Sequence, residues 1–134
     1  MSDFKKLLVW EKAHALAVHV HRVASAIKHS QHASLRSQMI RASASIPTNI
    51  VEGSRQSSRR DFARFLRYAL NSASELEYHL MLARDICATP EEKTSALLED
   101  VTEVRKMLHG LLRRVTSVQP SEETPPHTIR QYEN

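Results

Sequence analysis

Between Ser45 and Arg55 the chain reads Ser-Ile-Pro-Thr-Asn-Ile-Val-Glu-Gly-Ser-Arg, and its charges sit where a helix would not choose them. Glu52 falls where a helix should be ending, against the negative end of the macrodipole. Arg59 and Arg60 fall in the first turn of the next helix, against the positive end. Each misplacement loses only about 0.3–1 kcal/mol when exposed. The turn brings the two errors together, so Glu52 is expected to pair with Arg55, Arg59 or a neighbouring arginine. The remaining arginines would face an anion or a second subunit; the alternative is a solvated turn. The chemistry is therefore recognition of carboxylate or phosphate, not bond making.

Three further residues shape this segment. Pro47 lacks an N–H and is expected to kink its helix. Asn49 falls in line with an apolar seam and would take the carbonyls of Ser43 and Ala44 that the kink releases. Gly53 is expected to close the helix in the left-handed conformation. Farther on, Glu75 and Ser72 form a polar notch suited to an arginine such as Arg41, from this chain or another.

Catalytic chemistry lacks its parts. The eight histidines lie at 14, 19, 21, 29, 32, 79, 109 and 127, with no i,i+4 pair and no His-Glu-x-x-His. Glu75 and Glu77 diverge on a helix. Arg22 and His29 loosely resemble the Arg-x-His motif of helical HEPN-type ribonucleases, but they lie toward the end of a helix, the wrong context. No enzyme, metal, cofactor or small-molecule substrate is expected.

Those residues must be positioned by helices. Only two glycines occur in 134 residues, aromatics make up 5%, and apolar residues recur in alternating steps of three and four. The seams are Trp10, Ala13, Ala17, Val20, Ala24 and Ile27, then Leu35, Met39, Ala42, Ile46 and Asn49. The third runs from Phe62 through Leu66, Ala69, Ala73, Leu76, Leu80 and Ala83 to Cys87. The fourth runs from Leu97 through Val101, Val104, Leu108, Leu111 and Val115 to Val118. Four such seams predict an all-α, antiparallel up-down-up-down four-helix bundle over residues 1–118, with a kinked second helix. Ser58 to Asp61 reads as a capping box, as does Thr89-Pro90-Glu91-Glu92, and Ser30 to Ser34 as the break between helices one and two. Residues 119–134, with three prolines and no periodicity, are expected to be a disordered tail.

Leu16, Val23, Phe65, Tyr68, Leu98, Met107 and Leu112 widen the apolar stripes and predict a second buried surface, hence an oligomer, although a broad monomer core is the alternative. A single cysteine fits a reducing compartment, no run reaches membrane-spanning length, and a cytoplasmic location is expected. The net charge of +4 conceals +7 over residues 1–60 and −3 over 61–134. Arginine outnumbers lysine 13 to 6, which suits bidentate anion contacts.

The same residues carry a family resemblance. Leu8-Val9-Trp10-Glu11-Lys12-Ala13, Gln38-Met39-Ile40-Arg41-Ala42 and Ser45 to Gly53 resemble the bacterial four-helix bundle proteins called 23S rRNA intervening-sequence proteins. Asp61-Phe62-Ala63-Arg64-Phe65-Leu66 and Ala69 to Leu76 continue the match, which covers about residues 4–115. Val51 and Asn71 depart from the family's usual Ala and Gly, and His29 to Leu35 replaces its usual lead into helix two. The resemblance implies a ring-forming bundle, typically a homopentamer, with Asn49, Glu52, Ser72 and Glu75 as its polar residues and Arg41 as its basic one. Some members are encoded within 23S rRNA genes. The related accessory variability proteins of diversity-generating retroelements bind reverse transcriptase and nucleic acid.

Two functions follow. The first is a non-enzymatic oligomeric scaffold that contacts RNA, or an RNA-processing or reverse-transcriptase-type partner, through Arg36, Arg55, Arg59, Arg60, Arg64 and Arg67. Of these, Arg60, Arg64 and Arg67 share a helix face by i, i+4, i+7 spacing. The second is a purely structural interaction module in which subunit contacts occupy those arginines.

Overall fold

A computed structural model describes residues 7–117. Four helices make up nearly all of it: α1 (Leu8–Ser25), α2 (Ala33–Ser54), α3 (Arg59–Asp85) and α4 (Glu91–Ser117). A single 3-10 turn at Ser30–His32 leads into α2, so the break between the first two helices lies earlier than Ser30 to Ser34 and α2 already begins at Ala33. The expectation for the tail at 119–134, and Val118 with it, lies outside the described residues.

Short connections force antiparallel neighbours, and the packing follows chain order: α1 on α2, α2 on α3, α3 on α4, with α4 closing back on α1. The core is the set of seams. Phe62, Leu66, Ala69, Ala73, Leu76, Leu80 and Ala83 of α3 are all essentially inaccessible, as are Val101, Val104, Leu108, Leu111 and Val115 of α4. Burying each leucine stabilises by about 1.5–3 kcal/mol, so truncating Leu66 to alanine would cost about 2–5 kcal/mol.

The second seam differs from the expectation at one position. It passes through Ile46 to Ile50, both 0% exposed, and Asn49 stands half-buried beside it. In the first helix Val9 and Leu16 are core residues, whereas Trp10 and Ala17 are half-buried. Cys87 is no seam residue either; it is exposed, and it ends α3 in the left-handed conformation at φ 57°. Two bonds fasten that end: Ala88 N donates to Ala83 O at 2.9 Å and Cys87 N to Arg84 O at 3.1 Å. This six-to-one and five-to-two pair is the Schellman arrangement.

At the start of α3 the N-cap half of the expected box forms, with Asp61 N donating to Ser58 Oγ at 3.1 Å and the Ser58 hydroxyl donating to Asp61 Oδ2 at 3.2 Å. The one expected at α4 does not, because the helix begins one residue late, at Glu91. Thr94 N then bonds Pro90 O at 3.1 Å, and the buried Thr89 hydroxyl meets the Thr94 hydroxyl instead of a backbone N–H.

Candidate functional site

The helix containing Pro47 does not stop there; α2 continues to Ser54 with the proline buried inside it. Pro47 offers no N–H to Ser43 O, and side chains bond the next two carbonyls. Thr48 Oγ1 donates to Ala44 O at 2.8 Å, and Asn49 Nδ2 donates to Ser45 O at 2.8 Å. Asn49 thus serves Ser45, not Ser43 or Ala44 as expected. It also reaches Ser45 Oγ at 3.1 Å, which lies 2.8 Å from Ser72 Oγ on α3. One turn earlier, Arg41 pairs with Glu75 within the chain. The polar notch of Ser72 and Glu75 is therefore one half of a ladder that fixes α2 against α3. Each rung at the surface is worth on the order of 1 kcal/mol.

Gly53 does not take the left-handed form, since no glycine among the described residues has positive φ. Its role is contact. A Cβ built there would stand 2.9 Å from Phe62 Cδ1 and 3.1 Å from Phe65 Cβ, so only glycine lets α2 approach α3 this closely. The helix end is finished by local bonds, with Gln56 Nε2 reaching Glu52 O at 2.9 Å and Gln56 N reaching Gly53 O at 3.1 Å.

The expected pairing of Glu52 with the turn's arginines is absent. Glu52 is exposed, and among the described residues its carboxylate forms no ion pair. Two of the candidate surface arginines are also withdrawn. Arg59 is only 7% exposed. Arg36 is half-buried and donates from Nη1 to Ile27 O at 2.6 Å, tying the start of α2 to the end of α1. Both are withdrawn from the surface, Arg59 by burial and Arg36 by its bond to Ile27 O, which linear spacing does not reveal.

Arg55, Arg60, Arg64 and Arg67 are exposed. Arg64 Cζ lies 4.9 Å from the Phe65 ring centroid and 6.0 Å from that of Tyr68, while Asp61 holds its edge at 3.5 Å. Phe65 and Tyr68 meet edge to face at 5.6 Å. The Tyr68 hydroxyl first, and then Asp61, favour the charged guanidinium and raise its pKa further. The result is a cation spread over aromatic faces on the outer side of α3.

The fold adds what the linear sequence does not place there. Antiparallel order puts the last half of α4 beside the first half of α3, so Arg105, Lys106, Arg113 and Arg114 join the arginines of the α2–α3 turn. The bundle half made of residues 8–16, 44–72 and 104–117 carries ten Lys/Arg against three acids, a net +7. The opposite half, residues 17–43 and 73–103, carries six against eight, a net −2. Sequence halves and structural halves do not coincide: the acidic second half of the sequence contributes Arg64, Arg67 and four of the five cations of α4 to the basic pole. Only the topology, once applied to α4, could have found those four.

Among the described residues no group of three or more His, Cys, Asp or Glu could hold a metal ion, and no helix is long and apolar enough to cross a membrane.

Comparison with known proteins agrees with this architecture. The family model described as 23S rRNA-intervening sequence protein matches residues 5–110. A crystal structure of a protein of unknown function from the S23 ribosomal protein family of Bacteroides thetaiotaomicron VPI-5482 superimposes with a TM-score of 0.75 at 28% identity, covering 79% of this chain and 99% of that one. No curated protein matches the chain.

Proposed function

The chain belongs to the 23S rRNA-intervening sequence protein family, and from that premise we propose that it is a non-enzymatic, self-assembling bundle whose basic pole docks on RNA. The observation that carries this reading is the separation of charge along the bundle, +7 against −2. Arg60, Arg64 and Arg67 project from one exposed face of α3, with Tyr68 43% exposed among them. Phosphates answer the guanidinium groups, and unstacked bases answer the aromatic face. Repetition of the pole around a homopentameric ring would multiply a modest single-copy affinity.

Self-assembly has its own support, although of the flanks the sequence suggested only Tyr68 is exposed. Leu16 is core, and Val23, Phe65, Leu98, Met107 and Leu112 are half-buried. Leu8 and Tyr68 are exposed apolar groups of the basic half; the other three are on the later part of α3 and just beyond it, at Tyr78 (60%), Met81 (41%) and Ile86 (45%). Those three stand in the acidic half, so assembly through them would leave the basic pole open.

The test is a salt series of RNA binding with a labelled single-stranded oligonucleotide, alongside light scattering for the mass. Replacing Arg60, Arg64 and Arg67 by alanine should weaken binding and flatten the dependence of log K on log salt by about 0.7 for each phosphate left without its cation. No binding at low salt, or an unchanged slope in the triple variant, would refute RNA docking. A stable species at the 15.3 kDa monomer mass would refute assembly.

A further inference from the structure

Of the chain's two glycines, Gly53 is explained by the approach of Phe62 and Phe65, and Gly110 is not. Gly110 lies in the middle of the second half of α4, where glycine weakens a helix relative to alanine. Among the described residues, nothing from another helix comes within 4 Å of a Cβ built there. What does is a pair of guanidinium groups from its own helix: Arg114 Nη1 at 3.4 Å and Arg113 Nη2 at 3.9 Å. Two cations three and four residues downstream have thus folded back over the one bare spot on the helix surface.

Like charges do not converge without reason. Neither Arg113 nor Arg114 has a carboxylate partner among the described residues, whereas Arg105 of the same helix pairs with Glu77 at 3.7 Å. Arg114 Nε is moreover buried without an acceptor, and an anion would supply one. Arg114 is in the last turn of α4 and Arg113 just before it, where the helix dipole alone would welcome cations. The dipole accounts for their presence, but not for the glycine beneath both groups.

We infer that Gly110 is the floor of a phosphate seat whose walls are Arg113 and Arg114. A phosphate oxygen can approach the bare backbone surface closely and accept from both planar guanidinium groups at once. The seat lies in the basic half of the bundle and rests on the RNA-docking reading only for the source of the phosphate, a nucleic-acid backbone rather than a free anion.

The experiment titrates the intact chain, followed by the Gly110 amide and the arginine Nε–H resonances, with pyrophosphate in one arm and single-stranded RNA in the other. Movement of the Gly110, Arg113 and Arg114 signals in either arm supports the seat. Movement with RNA alone names a nucleic-acid backbone as the source. Movement with pyrophosphate alone keeps the seat while removing RNA from its role. Gly110→Ala fills the floor while favouring the helix, so it should fold at least as well and bind about threefold or more weaker, and R113A/R114A about tenfold or more weaker. Silent signals in both arms, or full affinity in Gly110→Ala, would overturn the proposal. Loss of RNA binding in the Arg60, Arg64 and Arg67 variant, with pyrophosphate still shifting Gly110, would show that the two surfaces act separately and leave the seat standing.

Discussion

At the turn between α3 and α4, charge and dipole agree: Glu91 and Glu92 occupy the first turn of α4, where the positive end welcomes them. At the turn between α2 and α3 they disagree, with Glu52 near one helix end and Arg59 and Arg60 at the start of the next. Backbone geometry divides the other way. The agreeable turn forces Cys87 into the left-handed region, while the disagreeable one contains no residue with positive φ. The first turn therefore accepts local strain to make a tight antiparallel reversal, and its charges help. The second is locally relaxed and held by Gly53 against two phenylalanines, and its exposed charges, Glu52 and Arg60, do nothing for the helices they sit on. Charges that local stability does not explain are the ones to assign to recognition.

The largest effect that could break this contrast is on binding. Replacing Arg60, Arg64 and Arg67 by glutamate should abolish RNA binding, whereas Glu91, Glu92 and Glu99 to glutamine should leave it within about twofold, as expected for charges beyond a Debye length. Equal losses from both sets, measured by anisotropy at fixed salt, would erase the distinction between the poles. Next comes Gly53→Ala, which drives a Cβ against Phe62 and should destabilise by about 1–3 kcal/mol in urea unfolding. A neutral result would mean that α2 and α3 can separate freely. Cys87→Gly should do the reverse at the other turn and stabilise by about 1 kcal/mol, since glycine adopts φ 57° without penalty. The smallest change is Arg41→Ala. It removes an ion pair whose side chains are 61% and 36% exposed and should cost about 0.2–1 kcal/mol; a larger loss would make the polar ladder between α2 and α3 cooperative.

The fold is legible in the sequence because its signal is periodic. Leu66, Ala69, Ala73, Leu76 and Leu80 recur at helical spacing, and burial follows that spacing directly. Single positions are less legible. Asn49 and Ile50 are neighbours, and a seam drifting with a 3.6-residue period can pass through either; the structure chooses Ile50. For Gly53 the sequence suggests backbone freedom because it shows no partner, and the real constraint is Phe62, nine residues on. Cys87 falls in line with the core since nothing local announces a left-handed cysteine. The arginines at 55, 60, 64 and 67 can be found from spacing and exposure. Arg113 and Arg114 cannot, because their relation to α3 exists only once four helices have been set antiparallel.

The strained cysteine has a practical side. The chain contains no other thiol, and this one stands exposed at the end of α3, a 27-residue helix and hence about 40 Å from its arginine-bearing start. A fluorophore coupled there would be a single, defined label remote from the basic surface. The dye would report RNA capture without standing in its way and, next to Ile86, would also report assembly through that surface.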